Sequence, residues 1–195
     1  MEILNYKIKF LDDWMCSSGL GAGAETDSEV IKDKDGLPYI PGKTLKGILK
    51  DACLEIVNLD MKEQFLNQNQ IDHIFGVEAK SKKNKEEENE PSKRGNAFFS
   101  NAELPKLEKE EIVKNQLQSF LYYNIASTRI NDKGVAIDKS LRVKEVCVPV
   151  TLIGQIQVEK KYHSVLEKAM KWTRRLGTNR NRGLGRCIIE KIEEK

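Results

Sequence analysis

A chain of 195 residues, 39% hydrophobic and 32% charged with a formal net charge of +3, suits one domain with its own core and is too nearly neutral to hold nucleic acid by bulk charge. Cys16, Cys53, Cys147 and Cys187 lie far apart, and with only His73 and His163 beside them they form no zinc-type spacing; they read as reduced, buried small hydrophobes. No apolar run reaches membrane-spanning length and the N-terminus lacks a signal-peptide core, which predicts a soluble intracellular protein.

Leu4, Tyr6, Ile8 and Phe10 alternate with Asn5, Lys7 and Lys9, the pattern of a half-buried strand. The stretch MCSSGLGAGA, Met15 to Ala24, follows, with Gly19, Gly21 and Gly23. It reads as a backbone cradle for a ligand or as a plain connection. Polar residues from Glu25 to Glu29 surround Asp27, and Lys34-Asp35-Gly36 marks a turn. After Pro41, the residues Leu45, Ile48, Leu49, Ala52, Cys53, Ile56 and Val57 make one apolar helical stripe. Lys43, Lys46 and Lys50 fall on the opposite side. Lysines in the first turns oppose the helix dipole, so they mark either a docked anion or an ordinary wet face. Gly42-Lys43-Thr44 is no Walker loop: five residues, two of them proline, separate Gly36 from Gly42, where the motif needs four with free N–H groups.

Phe65 to Phe75 extends the helical region. Residues 78–95, rich in lysine and glutamate, predict a charged surface or disordered insertion. Asn96 to Leu104 reads as a short strand and turn, while Leu107 to Tyr123 shows no usable period. Residues 126–145 hold an Asp-Lys-Gly turn between modestly apolar flanks and predict a projecting hairpin, made basic by Arg129, Lys139 and Arg142. Val146, Val148, Val150, Leu152, Ile156 and Val158 keep period two, as one strand bent at Gly154. Tyr162, Val165, Leu166, Ala169, Met170 and Thr173 line a second helix, and Cys187 to Ile192 forms a last strand. Between these two, Arg174 to Cys187 packs five arginines and three glycines with no acid. Arginine forks match phosphate geometry and glycine backbone makes anion-binding concavities; the plainer reading is a basic loop with Gly177 capping the helix. Ignoring insertions, the order strand-helix-strand-strand-helix-strand predicts an α+β, ferredoxin-like (RRM-like) fold for residues 1–195 as a single domain.

Four stretches in register resemble the RAMP superfamily, most closely the repeated backbone subunit of type III CRISPR–Cas interference complexes. GLGAGAETDSEVIKDKDGLPYIPGKTLKG is similar to its N-terminal glycine loop and helix start; IFG with FFSNAEL to its Leu-Phe-Gly and following strand; TRINDKGVAIDKSLRVKEVCVP to its thumb hairpin; and LGTNRNRGLGRC to its C-terminal glycine loop. The resemblance implies a palm with an inserted thumb over 126–145, working in the prokaryotic cytoplasm. It implies a guide RNA and a complementary target RNA as partners, with other copies of the chain and other complex subunits. It also implies Asp27 as the catalytic residue of target cleavage, with magnesium or manganese at Asp27. A carboxylate is a weak proton acceptor at neutral pH, so Asp27 is better cast as a metal ligand or as the group that positions a 2′-hydroxyl for in-line attack on its own phosphate. The implied RNA-binding residues are Gly19, Gly21, Gly23, Lys43, Thr44, Lys46, Lys50, Arg129, Arg142, Arg180, Arg182, Gly183, Gly185 and Arg186.

The sequence departs from the family at three places: Gly21 where histidine is common, Glu29 where proline is common, and Ile130-Asn131-Asp132 in place of Ile-Asp-Arg. Three other readings compete with target cleavage. The chain is a silent RNA-binding scaffold of the same complex; or a guide-processing nuclease, for which no histidine precedes His73; or a phosphotransferase, against which the glycine spacing counts.

Overall fold

The computed structural model describes residues 1–17, 19, 26–59, 66–77 and 92–193. In chain order the elements are β1 (Glu2–Phe10), α1 (Gly42–Leu59), α2 (Gln68–Phe75), β2 (Gly76–Val77), β3 (Lys93–Arg94), β4 (Phe98–Phe99), α3 (Lys106–Lys114), β5 (Tyr122–Ser127), β6 (Arg142–Cys147), β7 (Thr151–Val158), α4 (His163–Trp172) and β8 (Cys187–Lys191). The central sheet runs β4-β7-β1-β8 with every neighbouring pair antiparallel. With α1 and α4 as its two helices this is the ferredoxin-like arrangement that the element order predicts. The alternation in β1 does what the pattern requires. Leu4, Tyr6, Ile8 and Phe10 are buried with Leu152 and Ile156 of β7, Leu45 and Leu49 of α1, and Leu166 and Met170 of α4. Lys7 faces the other way and pairs with Glu190 at 3.2 Å.

Several elements differ from the sequence-based expectation. The valine-rich run from Val146 is not one strand: β6 ends at Cys147, β7 begins at Thr151, and the two belong to different sheets. Pro149 lies between them, and a proline has no N–H to carry a ladder through. Nor does α2 continue α1. Asn67 starts it with a capping box: the Asn67 side chain accepts from Gln70 N at 3.0 Å, and the Gln70 side chain accepts from Asn67 N at 3.1 Å. The segment without a period contains α3, which buries no residue fully. It is held instead by Lys109, 3.0 Å from Asp33 and 2.9 Å from Glu103. Within the charged run, residues 78–91 lie outside the described residues; Lys93 and Arg94 pair with Val77 and Gly76 as β3. Finally, α4 ends at Trp172 and Thr173 is its C-cap, so Gly177 has another task. Among the described residues no helix is long and apolar enough to cross a membrane.

Gly154 does not bend β7, which runs on through it. It faces Tyr6 in the β1–β7 register, and a Cβ there would stand 2.2 Å from the Tyr6 hydroxyl oxygen. That hydroxyl is buried with no hydrogen-bond partner among the described residues, and burial pushes its pKa up. Gly154→Ala is therefore expected to cost about 1–3 kcal/mol by overpacking, read as a fall in Tm of roughly 2–4 °C per kcal/mol. Tyr6→Phe removes that oxygen but leaves ring Cζ 2.5 Å from the new Cβ, so it should recover only part of the loss, while Tyr6→Phe alone should be nearly neutral. A Gly154→Ala variant with unchanged Tm would show that the ring relocates at no cost.

Candidate nucleic-acid interface

The N-terminal segment just after β1 is the anchor onto which distant pieces of chain are fixed. Trp14 N donates to Cys147 O at 2.9 Å, and Cys147 N donates back to Trp14 O at 2.8 Å. The arginine-glycine loop is pinned beside it: Leu11 N donates to Arg186 O (2.8 Å), Gly185 N to Asp13 O (2.8 Å) and Thr178 N to Met15 O (2.7 Å). Gly177, Gly183 and Gly185 all have φ between +73° and +93°, the region that favours glycine. Their surroundings differ. A Cβ at Gly177 would lie 2.2 Å from Met15 O, and one at Gly185 would lie 1.9 Å from Leu176 O, so these two glycines admit the protein's own backbone. Among the described residues nothing lies within 4 Å of a Cβ at Gly183. Of the three, Gly183 leaves room for an outside group.

The predicted hairpin is present and longer than its motif, with β5 and β6 paired from Tyr122↔Cys147 to Ser127↔Arg142. Its tip is ordered by short polar bonds: Asn131 Oδ1 accepts from the backbone N–H groups of Lys133 and Val135, each at 3.0 Å. Gly134 supplies a left-handed turn, and Ile130, Val135 and Leu141 are exposed around it. At the hairpin base, Arg129, Lys139, Arg142 and Lys144 share a cleft of about 610 Å³ with Arg182 of the loop. Lys144 Nζ donates to Asn179 Oδ1 at 3.3 Å, joining hairpin to loop.

Asp27 is held next to this base through β6. Its N–H donates to Val143 O and its Oδ2 accepts from Val143 N, both at 2.8 Å, so the residue is clasped to β6 across 116 positions of sequence. Its Oδ1 lies 3.8 Å from Arg142 Nη1. A magnesium or manganese ion held by the protein does not fit these groups. One carboxylate oxygen is engaged by an amide, the other faces a guanidinium, and among the described residues no three His, Cys, Asp or Glu side chains gather to hold a metal. The thiols offer no alternative: all four cysteines are buried, and burial pushes Cys53, Cys147 and Cys187 up to about 12.

A second basic cleft lies elsewhere on the fold. Lys43, Lys46 and Lys50 of α1 meet Lys93 and Arg94 of β3 around about 460 Å³, and no acidic side chain among the described residues lines it. Burial first, and then the charges of Arg94 and Lys50, hold the Lys46 ammonium below its ordinary pKa. Crowded like charges of this kind favour a bound anion. Thr44 is half-buried in the first turn of α1.

The expected RNA-binding residues thus fall in several places. Arg129, Arg142 and Arg182 come together beside Asp27. Lys43, Lys46 and Lys50 form the second cleft, and Arg180 lines a third, beside Trp172. Arg186 is paired with Asp12 at 3.3 Å, Gly185 is taken up by backbone packing, and a Cβ at Gly19 would meet none of the described residues within 4 Å. Gly21 and Gly23 lie outside the described residues. Sequence reasoning missed Lys144, Lys93 and Arg94. A basic residue on the hairpin exit was a usable signal for the first; nothing pointed to a two-residue strand inside a charged run. His73 Nε2 stands 2.8 Å from Glu159 Oε1 and 2.8 Å from Asn96 Nδ2, closing α2 against the end of β7.

Comparison with known proteins fits this geometry. The family model described as the RAMP superfamily matches residues 7–188. No curated protein sequence matches the chain. Among solved structures, the chain is similar in fold to a subunit of the apo Type III-B Cmr-beta cryo-EM structure, with TM-score 0.68, 14% identity and 98% of each chain covered. It is similar also to a chain of Type III-B Cmr-beta bound to cognate target RNA, with TM-score 0.67, 12% identity, and 98% of this chain and 97% of that one covered.

Proposed function

Because the chain belongs to the RAMP superfamily, we propose that it is a guide-RNA-binding backbone subunit of a type III CRISPR effector complex and that it cuts the complementary target RNA at the base of its hairpin. The observation that carries the reading is the convergence of Arg129, Arg142, Lys144 and Arg182 on one cleft beside Asp27. The fold likeness to Cmr-beta subunits, solved free and with target RNA, supports the setting. Guide RNA, target RNA, further copies of the chain and other subunits of the complex are the partners, in a prokaryotic cytoplasm.

In this reading the arginine-glycine loop and the lysines of α1 hold phosphates without reading bases, since side-chain cations and glycine backbone contact every sequence alike. The exposed apolar tip, Ile130, Val135 and Leu141, pushes against bases of the guide–target duplex and holds one target nucleotide at the cleft. Asp27 Oδ1 accepts a hydrogen bond from the 2′-hydroxyl of that nucleotide and aligns it. Attack of the 2′-oxygen on the adjacent phosphorus, its proton passing to water, forms a cyclic phosphate and releases the 5′-oxygen of the next nucleotide, which takes a proton from water. Arg142 balances the charge that grows on the phosphate. The silent-scaffold reading is favoured by one observation, that Asp27 is already clasped to Val143. It predicts tight RNA binding and no cutting.

The test is the salt dependence of binding. Arg129→Ala with Arg182→Ala should weaken all RNAs alike and lower the slope of log affinity against log salt by roughly 0.7 for each single-strand phosphate no longer neutralised. An unchanged slope, or an effect confined to one RNA sequence, would remove the cleft from the RNA path.

A further inference from the structure

The two tryptophans have opposite surroundings. Trp14 is fully buried and stacked on Phe10 with ring centroids 4.3 Å apart, whereas Trp172, the last residue of α4, is 45% exposed. Its ring is nonetheless fixed, because Nε1 donates to Glu55 Oε2 at 2.8 Å. Beside it opens a cleft of about 550 Å³ lined also by Asp51, Arg174, Arg175 and Arg180. Arg175 Nη1 donates to Arg180 O at 3.2 Å, which ties the loop to this side.

We infer that the Trp172 cleft takes one nucleotide of single-stranded RNA, with the base stacked on Trp172, its phosphate on Arg174 and Arg180, and an exocyclic amino group donated to Asp51. The inference rests on the RNA-binding reading above and adds to it a site for a base. The mixture of groups is what selects the ligand. A cleft for phosphate alone gains nothing from two carboxylates, and an acidic peptide is repelled by them. A nucleotide has an anionic end for the arginines, a flat face for the indole and, in adenine, cytosine or guanine, an amino donor for the carboxylate. Base–aromatic stacking tolerates any sequence, while Asp51 disfavours uracil, which has no amino group and whose one ring N–H is flanked by two carbonyl oxygens that repel a carboxylate.

Since Trp14 is buried, quenching of tryptophan emission reports on Trp172. The full-length chain is titrated with short oligoadenylate, oligocytidylate and oligouridylate, and with inorganic pyrophosphate as an anion without a base. Adenylate and cytidylate should quench at lower concentration than uridylate. In a gel shift, needed because these variants lack the reporting ring, Trp172→Ala should weaken their binding roughly 5- to 100-fold, and Trp172→Phe should restore most of it. Asp51→Asn should narrow the gap between cytidylate and uridylate, because an amide donates to carbonyls as well as accepting. Pyrophosphate reproducing the whole quench would overturn the proposal in favour of a bare anion site. Unchanged emission, while a longer RNA still binds in a gel shift and loses affinity with Arg182→Ala, would overturn it and leave the RNA-binding reading standing. Failure of any RNA to bind would remove both.

Discussion

Asp27→Asn is expected to leave RNA affinity and thermal stability close to wild type while slowing target cutting by about 10²–10⁴-fold. Asparagine keeps an oxygen that accepts from Val143 N, so the clasp between residue 27 and β6 survives. It loses the charge and the second acceptor that Asp27 presents toward Arg142 at 3.8 Å. Asp27→Ala is a poorer probe, since it also removes the clasp and lets the hairpin shift. The comparison to make is single-turnover cleavage of complementary RNA in magnesium buffer against gel-shift affinity, for Asn and Ala together. Full activity in Asp27→Asn with loss in Asp27→Ala would assign the residue to holding the hairpin. No cutting by the wild type itself, with guide and target bound, would leave the silent scaffold as the function.

Gly185→Ala should unsettle the whole interface. The new Cβ would stand 1.9 Å from Leu176 O at a φ of +73°, with backbone on the receiving end and no flexible side chain to yield. A cost of about 2–4 kcal/mol follows from the backbone strain and the clash, or roughly 5–15 °C in Tm at 2–4 °C per kcal/mol. RNA affinity should fall with it. Gly183→Ala is the matched comparison: φ is +86° but nothing lies within 4 Å, so only about 1 kcal/mol of backbone strain is expected. If Gly183→Ala nonetheless weakens RNA binding at unchanged Tm, a phosphate approaches that backbone. Equal stability of the two variants would contradict the packing described for Gly185.

The sheet and its two helices were legible because each buries one face, and one-sided burial writes a period into the sequence, as Leu4, Tyr6, Ile8 and Phe10 show. Helix α3 left no such trace. It buries nothing fully and is fastened by Lys109 to Asp33 and Glu103, which no local pattern reveals. Basic character at the loop and hairpin was visible; its division among separate clefts was not, since Arg180 and Arg182, two positions apart, line different ones. Lys93 and Arg94 join the α1 lysines only through a two-residue strand pair. The Asp27–Val143 clasp spans too much chain for spacing to suggest it. Gly177 and Gly185 looked like phosphate glycines because a tight backbone approach has the same residue requirement whether the guest is a ligand or the protein itself.

The anchoring of Leu11, Asp13 and Met15 by Arg186, Gly185 and Thr178 has a consequence for biogenesis. Chains are made from the N-terminus, so the anchor segment leaves the ribosome long before its partners exist, and β1 must wait for β8 as well. Contacts of such high sequence separation form late and slowly. A growing chain therefore exposes its lysine-bearing α1 before the cleft at the hairpin base is complete. In the proposed function the cleft is complete only once the loop carrying Arg182 has docked on the anchor, and RNA binding there waits on that step.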